Sequence, residues 1–211
     1  MFGFAKKKEL TDEQMMENFQ NGDSAAFDEL LNRYGSKILY FIMKKLNMSK
    51  PAAEDLMQEI FIKVIEKRDT FNTERKFSTW LYTVANNRCI DYMRTDKNKQ
   101  TSSLDKEITA EAGGATHLEL VKSEAGDPEQ YSYNKLIKEY VDEGVQELKE
   151  ELKEVFLLRE IEGLSLKEIS DITGAPLNTV KTRLRTAYLI LREHLIGTGC
   201  FSQKQNLGSV K

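Results

Sequence analysis

Apolar positions recur three and four residues apart along two long stretches of the chain and lose that rhythm between them. In residues 9–98, Met15, Met16 and Phe19 share a face, followed by Phe27, Leu30, Leu31 and Tyr34, then Ile38, Leu39, Ile42, Met43 and Leu46. Such spacing marks one side of an α-helix. Residues 131–195 show it again, and no stretch alternates as a half-buried strand does. With only 3 prolines, long helices can run uninterrupted. The expected fold is all-α: two helical domains joined by a flexible acidic linker. Residues 1–98 form a helical bundle, 99–130 the linker, 131–196 a smaller bundle and 197–211 a polar, mobile tail.

The linker is marked by composition. Between Thr101 and Gln130 lie Gly113, Gly114, Gly126 and the pair Asp127-Pro128, with seven acids and two bases. It reads either as a solvated spacer or as a strip that competes with nucleic acid for a basic surface. The whole chain of 211 residues carries a net charge of −3. A free-standing DNA binder usually has a basic balance, so any DNA binding here must be local, weak or assisted by a partner.

Several classes fall away. No apolar run approaches the roughly 20 residues of a membrane-spanning helix. The opening Met-Phe-Gly-Phe-Ala-Lys-Lys-Lys lacks the apolar core of a secretory signal, so a cytoplasmic location is expected. Cys89 and Cys200 stand far apart, with no CxxC and no His cluster; neither a disulfide framework nor a metal site is expected. His117 and His194 belong to no catalytic constellation, there is no phosphate-binding loop, and no cofactor is expected.

The second helical stretch holds a helix-turn-helix pattern. Ser165 and Glu168 form a capping-box signature before a short helix. Gly174 can take a positive φ and turn the chain, and Pro176 suits the first turn of a new helix. In that helix Leu177, Val180, Leu184, Ala187 and Leu191 fall on one face, with Asn178, Thr179, Lys181, Thr182, Arg183, Arg185 and Thr186 opposite. A recognition helix needs this division: one stripe to pack, the other to offer donors to base edges and charge to phosphates. Gly174–Ile196 has four bases and one acid, whereas Glu147–Asp171 has four bases and eight acids. The positive charge is confined to the candidate DNA face. An ordinary helical hairpin with a solvated face is the plainer alternative.

The first stretch holds two further segments. From Ala53 to Ile65, Leu56, Ile60, Phe61 and Val64 form a core face, and Asp55, Gln58 and Glu59 cluster on another. That second face is either simply solvated or an acidic dock for a basic partner helix. From Phe77 to Arg94, Phe77, Trp80, Leu81, Val84, Ala85 and Met93 read as core, while Thr79, Tyr82, Thr83, Asn86, Asn87 and Arg88 point outward. Seven bases and four acids lie between Arg68 and Lys99, interleaved with aromatics and amides. This suits single-stranded DNA, whose bases stack on rings while Lys and Arg hold phosphates. Phe77 and Trp80 read as core before platform; Tyr82 fits either.

These segments together resemble the bacterial extracytoplasmic-function (ECF) sigma factors. Gly22-Asp23, Ala26-Phe27 and Leu30 are similar to the family's opening segment, and Asp55 to Phe61 to its polymerase-docking helix. Phe77, Trp80, Leu81, Val84, Ala85, Asn87, Asp91 and Arg94 resemble its promoter-melting pattern. Glu168-Ile169, Gly174, Thr179-Val180-Lys181, Arg183 and Leu184 resemble its helix-turn-helix. Asn178 stands where the family usually has Gly, Thr182 where Ser is common, Thr186 where Arg is frequent, and Ser170 in place of Ala.

The resemblance implies a transcription initiation factor without catalysis of its own, partnered by core RNA polymerase (clamp helices and flap), promoter DNA and an anti-sigma factor. Asp55, Gln58, Glu59 and Phe61 would dock on polymerase. Asn72, Arg75, Lys76, Tyr82, Thr83, Asn86, Asn87 and Arg88 would meet the minus-ten element, with the loop Phe71 to Lys76 holding a flipped-out base. Asn178, Thr179, Lys181, Thr182, Arg183, Arg185 and Thr186 would meet the minus-thirty-five element. The linker can reach: about 30 extended residues span roughly 100 Å, and the two elements lie over two turns of about 34–36 Å apart. The rival reading is a free-standing helix-turn-helix regulator with a dimerising or sensing N-terminal bundle.

Overall fold

The computed structural model describes residues 10–102 and 128–199. Within them eight α-helices follow one another: α1 (Asp12–Gln20), α2 (Ser24–Leu46), α3 (Lys50–Glu66), α4 (Phe77–Ser102), α5 (Pro128–Glu147), α6 (Glu150–Glu162), α7 (Leu166–Thr173) and α8 (Leu177–Gly197). A 3₁₀ turn, Arg68–Thr70, lies between α3 and α4. No strand occurs among the described residues.

Local chemistry sets the helix ends. Thr11 and Gln14 form a reciprocal capping box at the start of α1. Asp23 caps α2 by accepting from the Ala25 N–H, and α2 closes with Lys44 and Lys45 in its last turn, where cations suit the carbonyl end. Glu13 reaches from α1 to accept a 3.0 Å hydrogen bond from the Phe77 N–H at the start of α4. Gly163, at φ +66°, ends α6. Helix extends into both edges of the linker expected over residues 99–130. Residues 99–102 complete α4, since nothing there breaks a helix, and Pro128 opens α5, where its missing N–H costs nothing. The rest of the expected linker and almost all of the tail lie outside the described residues, as do His117 and Cys200.

Helices α1–α4 bury Met15, Met16, Leu30, Ile38, Phe41, Ile42, Ile60, Phe77, Leu81 and Cys89. Helices α5–α8 bury Val145, Val155, Leu157, Leu158, Ile169, Val180 and Ala187. The two sets form one contiguous apolar cluster. Helix α2 is the central strut: it packs on α1, α3 and α4 on its own side and on α5 and α6 across the boundary, while α7 lies against α4.

Candidate nucleic-acid and docking surfaces

On α3, Leu56, Ile60 and Val64 turn into the core and Asp55, Gln58 and Glu59 turn out. Phe61 does not join the outward set. It is buried, with its ring edge-on to Phe27 at 6.2 Å, because position 61 follows Ile60 onto the face that meets α2. Its grouping with the docking residues is thereby corrected to a core role. The outward face continues instead through Ile62, which is 52% exposed one turn beyond Gln58 and Glu59. An apolar residue out of register with its own core stripe is the sequence signal for it.

The loop before α4 is held from below. The buried Phe71 anchors it, and the Gln20 side-chain amide donates to the carbonyls of Arg68 (2.7 Å) and Phe71 (3.0 Å). Asn72, Arg75 and Lys76 stand exposed at its rim. Phe77 is buried and Trp80 half-buried, with ring centroids 5.8 and 5.2 Å from Phe71. Both rings are part of the packing, as the spacing predicts.

Along α4, Thr79, Thr83 and Asn87 run outward at four-residue intervals. Tyr82 and Asn86, expected beside them, are 0% and 1% exposed. Tyr82 lies edge-on to Phe41 at 5.5 Å, and Asn86 accepts a 2.7 Å hydrogen bond from the Lys45 ammonium. The physical reason is that α4 is packed by α1, α2, α3 and α7 together. A helix enclosed that way buries well over one stripe, and polar residue types stop marking the solvent side. Arg88 bonds across to Glu59 of α3, its Nε 2.7 Å from a Glu59 carboxylate oxygen.

The helix-turn-helix forms as its local signals predict. The Ser165 hydroxyl accepts from the Glu168 N–H, and the Glu168 carboxylate accepts from the Ser165 N–H at 2.8 Å. Gly174 ends α7 at φ +69°. Ser170 does more than leave room: its hydroxyl donates to the Ala175 carbonyl at 2.6 Å and braces the turn. Pro176 sits one place earlier than expected, as the N-cap of α8. Val180, Leu184, Ala187 and Leu191 are buried, but Leu177 is 50% exposed. At the first helical position its side chain leans past the end of the helix, beyond its packing partners.

Asn178, Lys181, Thr182 and Arg185 are exposed on α8, with Thr179, Arg183 and Thr186 half-buried beside them. Next to this row Leu184, Leu166, Tyr188 and Leu189 line an apolar groove rimmed by Lys181, Arg185 and Arg192. Tyr188 packs edge-on against Phe156 at 5.6 Å and donates to Glu160. Residue type and spacing alone do not reveal this groove, because Leu184 is read with the core and Tyr188 with neither face.

Glu168 has a second set of partners. Its carboxylate lies 2.8 Å from the Lys76 ammonium and accepts from the Thr79 hydroxyl at 3.4 Å. Burial opposes its charge, but Lys76 together with the Ser165 hydroxyl and N–H outweighs that and holds its pKa down at about 2. The loop before α4 and the start of α4 thus meet α7 at Glu168.

Known proteins match this arrangement. Residues 30–99 match the family model Sigma-70 region 2, and residues 138–191 match Sigma-70, region 4. The ECF RNA polymerase sigma factor SigW of Bacillus subtilis (strain 168) is 32% identical over 187 residues, 89% of this chain and 98% of its own length. The ECF RNA polymerase sigma-E factor of Haemophilus influenzae is 33% identical over 181 residues, covering 84% and 91%. Among solved structures, CnrH in complex with the cytosolic domain of CnrY aligns with a TM-score of 0.62 at 19% identity, covering 88% of this chain and 97% of that one. The sigma factor RpoE of Bartonella quintana, in complex with the anti-sigma factor NepR, aligns with a TM-score of 0.62 at 21% identity, covering 80% and 96%. Region 2 spans most of α2 through α4, region 4 spans the helix-turn-helix, and most of the chain aligns with curated sigma factors at about a third identity. The chain belongs to the ECF family of RNA polymerase sigma factors, which are transcription initiation factors.

Proposed function

We propose that the region up to the end of α4 docks the chain on core RNA polymerase and opens the minus-ten element, while the region from α5 to α8 reads the minus-thirty-five element, with the segment between α4 and α5 as the tether. Asp55, Gln58 and Glu59, extended by Ile62, meet the polymerase clamp. Asn72, Arg75 and Lys76 with Thr79, Thr83, Asn87 and Arg88 engage the unwound strand. Lys181, Thr182, Arg183 and Arg185, flanked by Asn178, Thr179 and Thr186, enter the major groove. The chain catalyses nothing itself; polymerase does the chemistry. An anti-sigma protein is a further partner in this reading, in keeping with the complex in which RpoE was captured.

The observation that carries the reading is the separation of charge on one chain. An acidic outward face on α3 sits beside a basic loop and the hydroxyl-lined face of α4, and the other basic face is on α8. With a net charge of −3 the chain has little pull on DNA by itself. In this reading polymerase supplies the remaining affinity. Extruding a base costs a few kcal/mol, which a loop pocket and the polymerase channel offset together. Run-off transcription with purified core polymerase on genomic fragments tests this: defined start sites should depend on the chain. Start sites unchanged by its addition would dismiss the reading.

A further inference from the structure

One face of α1 ties down both ends of the loop before α4. At the start of the loop, the Gln20 side-chain amide donates to the carbonyls of Arg68 (2.7 Å) and Phe71 (3.0 Å). Both partners are acceptors, so the amide nitrogen is the atom that must face them. Beside it the Arg68 guanidinium lies over the Phe19 ring, 5.6 Å from its centroid. At the end of the loop, the Glu13 carboxylate accepts from the Phe77 N–H at 3.0 Å. Glu13 and Gln20 stand seven residues apart, close to two helical turns, so they share a side of α1 with the buried Met16 between them.

This spacing works as a ruler. Seven residues of helix rise only about 10 Å, whereas the six steps from Phe71 to Phe77 could extend to about 20 Å. The core closes the loop from below as well: Phe71 and Phe77 are buried, with ring centroids 5.8 Å apart. Ends held this close force residues 72–76 to bulge outward, as in other compact surface loops. The bulge then takes its shape locally. The Asn72 side-chain oxygen accepts from the Glu74 N–H at 2.9 Å, and the Arg75 N–H donates to the Asn72 carbonyl at 3.0 Å. A loop fixed before its ligand arrives spares the complex the entropy of ordering it.

We infer that Gln20 and Glu13 are positioning residues for promoter opening: from one face of α1 they hold the two ends of the loop in the shape that receives an extruded base. Both act through the loop, and neither lies on the docking face of α3 or on the recognition helix. With either anchor cut, the loop samples other shapes. Affinity for the base that fits then falls with the fraction of molecules still holding the right one. Bases that do not fit gain nothing from the set loop and lose nothing with it. The loss is one of discrimination, whereas damage to the fold would weaken all binding alike. The role of Gln20 and Glu13 rests on the assignment of that loop to an extruded base.

The test uses holoenzyme assembled from core RNA polymerase and the full chain. Its probes are single-stranded oligonucleotides of the minus-ten region of a promoter mapped by run-off transcription, with each position carrying each of the four bases in turn. Native holoenzyme should prefer one base at one position by about tenfold. Gln20→Ala, Glu13→Ala and Gln20→Glu, which keeps the shape but loses the donors, should each lower affinity for the preferred oligonucleotide by about five- to tenfold. Affinity for the disfavoured oligonucleotides, for core polymerase and for a minus-thirty-five duplex should stay at the native level. Glu13→Gln still offers an oxygen to the Phe77 N–H and should keep the native preference. Circular dichroism checks the helices, and the isosteric Q20E decides the matter if the alanine variants do not fold.

Asn72→Ala with Arg75→Ala, at the rim of the loop, tests the loop assignment separately. Base preference lost in N72A/R75A but intact in Q20E and E13A would overturn the role of α1 and leave the loop assignment standing. Preference intact in N72A/R75A, or absent from native holoenzyme, would remove the loop assignment and the role of α1 with it. Equal losses on every oligonucleotide and on core polymerase, with E13Q no better than E13A, would reduce both residues to supports of the fold and overturn their positioning role.

Discussion

Glu59 of α3 and Arg88 of α4 are bonded to each other across the groove between their helices. One belongs to the face assigned to polymerase, the other to the face assigned to promoter DNA. The pair is partly exposed, with side chains 51% and 29% accessible, so its direct contribution to folding should be about 0.2–1 kcal/mol after solvent screening. Its functional weight should be larger. Glu59→Ala is expected to weaken polymerase binding in a pull-down and, by freeing Arg88, to lower open-complex formation as well. Arg88→Ala should lower only the second. A drop in polymerase affinity of the same size in both variants would mean the pair acts merely as a structural tie.

The recognition helix gives a salt-dependent prediction. Lys181→Ala with Arg185→Ala should abolish transcription from promoters that need the minus-thirty-five element. For every phosphate that one of these side chains no longer neutralises, the slope of log affinity against log salt for the holoenzyme should fall by about 0.9. An unchanged slope, with transcription intact from all promoters, would move the DNA face elsewhere on α8.

Tyr82 separates a packing role from a stacking role. Its ring is fully buried, and among the described residues its hydroxyl has no hydrogen-bond partner. Tyr82→Phe should therefore leave stability unchanged or slightly raised, since an unsatisfied buried hydroxyl is removed. Tyr82→Ala should cost about 3–5 kcal/mol in urea unfolding, as for other large aromatic truncations in a core. Single-stranded DNA binding by holoenzyme carrying Tyr82→Phe should match the native protein. A selective loss of DNA binding in that variant would return Tyr82 to the interface.

Helix ends and core stripes are legible in the sequence because their signals are local. Ser165 and Glu168 sit three residues apart, Gly174 turns the chain where α7 stops, and Val180, Leu184, Ala187 and Leu191 repeat at helical spacing. Orientation fails where a helix is packed from several directions. Tyr82 and Asn86 look like solvent residues by type, yet α2 takes up that side of α4, and Lys45 satisfies the Asn86 amide. Phe61 fails for the simpler reason that one residue cannot both stabilise the α2 contact and face outward. The pairing of Lys76 with Glu168 is invisible because no periodicity links residues 92 positions apart. The capping role of Glu168 is local and legible; its long-range role needs the tertiary fold.

Glu168 also makes the pH behaviour specific. Facing it are Lys76 and Thr79 from the loop and α4 and Ser165 from its own turn, with Arg75, Lys167 and Asp171 lining the same cleft. Its folded pKa, about 2, lies below the ordinary 4.5, so the stabilisation it provides is fully present above 4.5 and is lost as pH falls toward 2. Side-chain NMR should find Glu168 titrating near the bottom of the acid range, and Lys76→Ala should raise its midpoint. A midpoint at the ordinary carboxylate position in the native chain would show that neither the cap nor the Lys76 contact holds in solution.

Permanganate reactivity of promoter thymines, compared with and without core RNA polymerase, asks most directly whether this chain reads DNA only in company. Two modest basic faces on an acidic chain should leave the duplex closed when the chain is alone. Unpaired thymines should appear in the minus-ten region only when polymerase and chain are present together. Reactive thymines produced by the chain without polymerase, or none produced by the two combined, would contradict it.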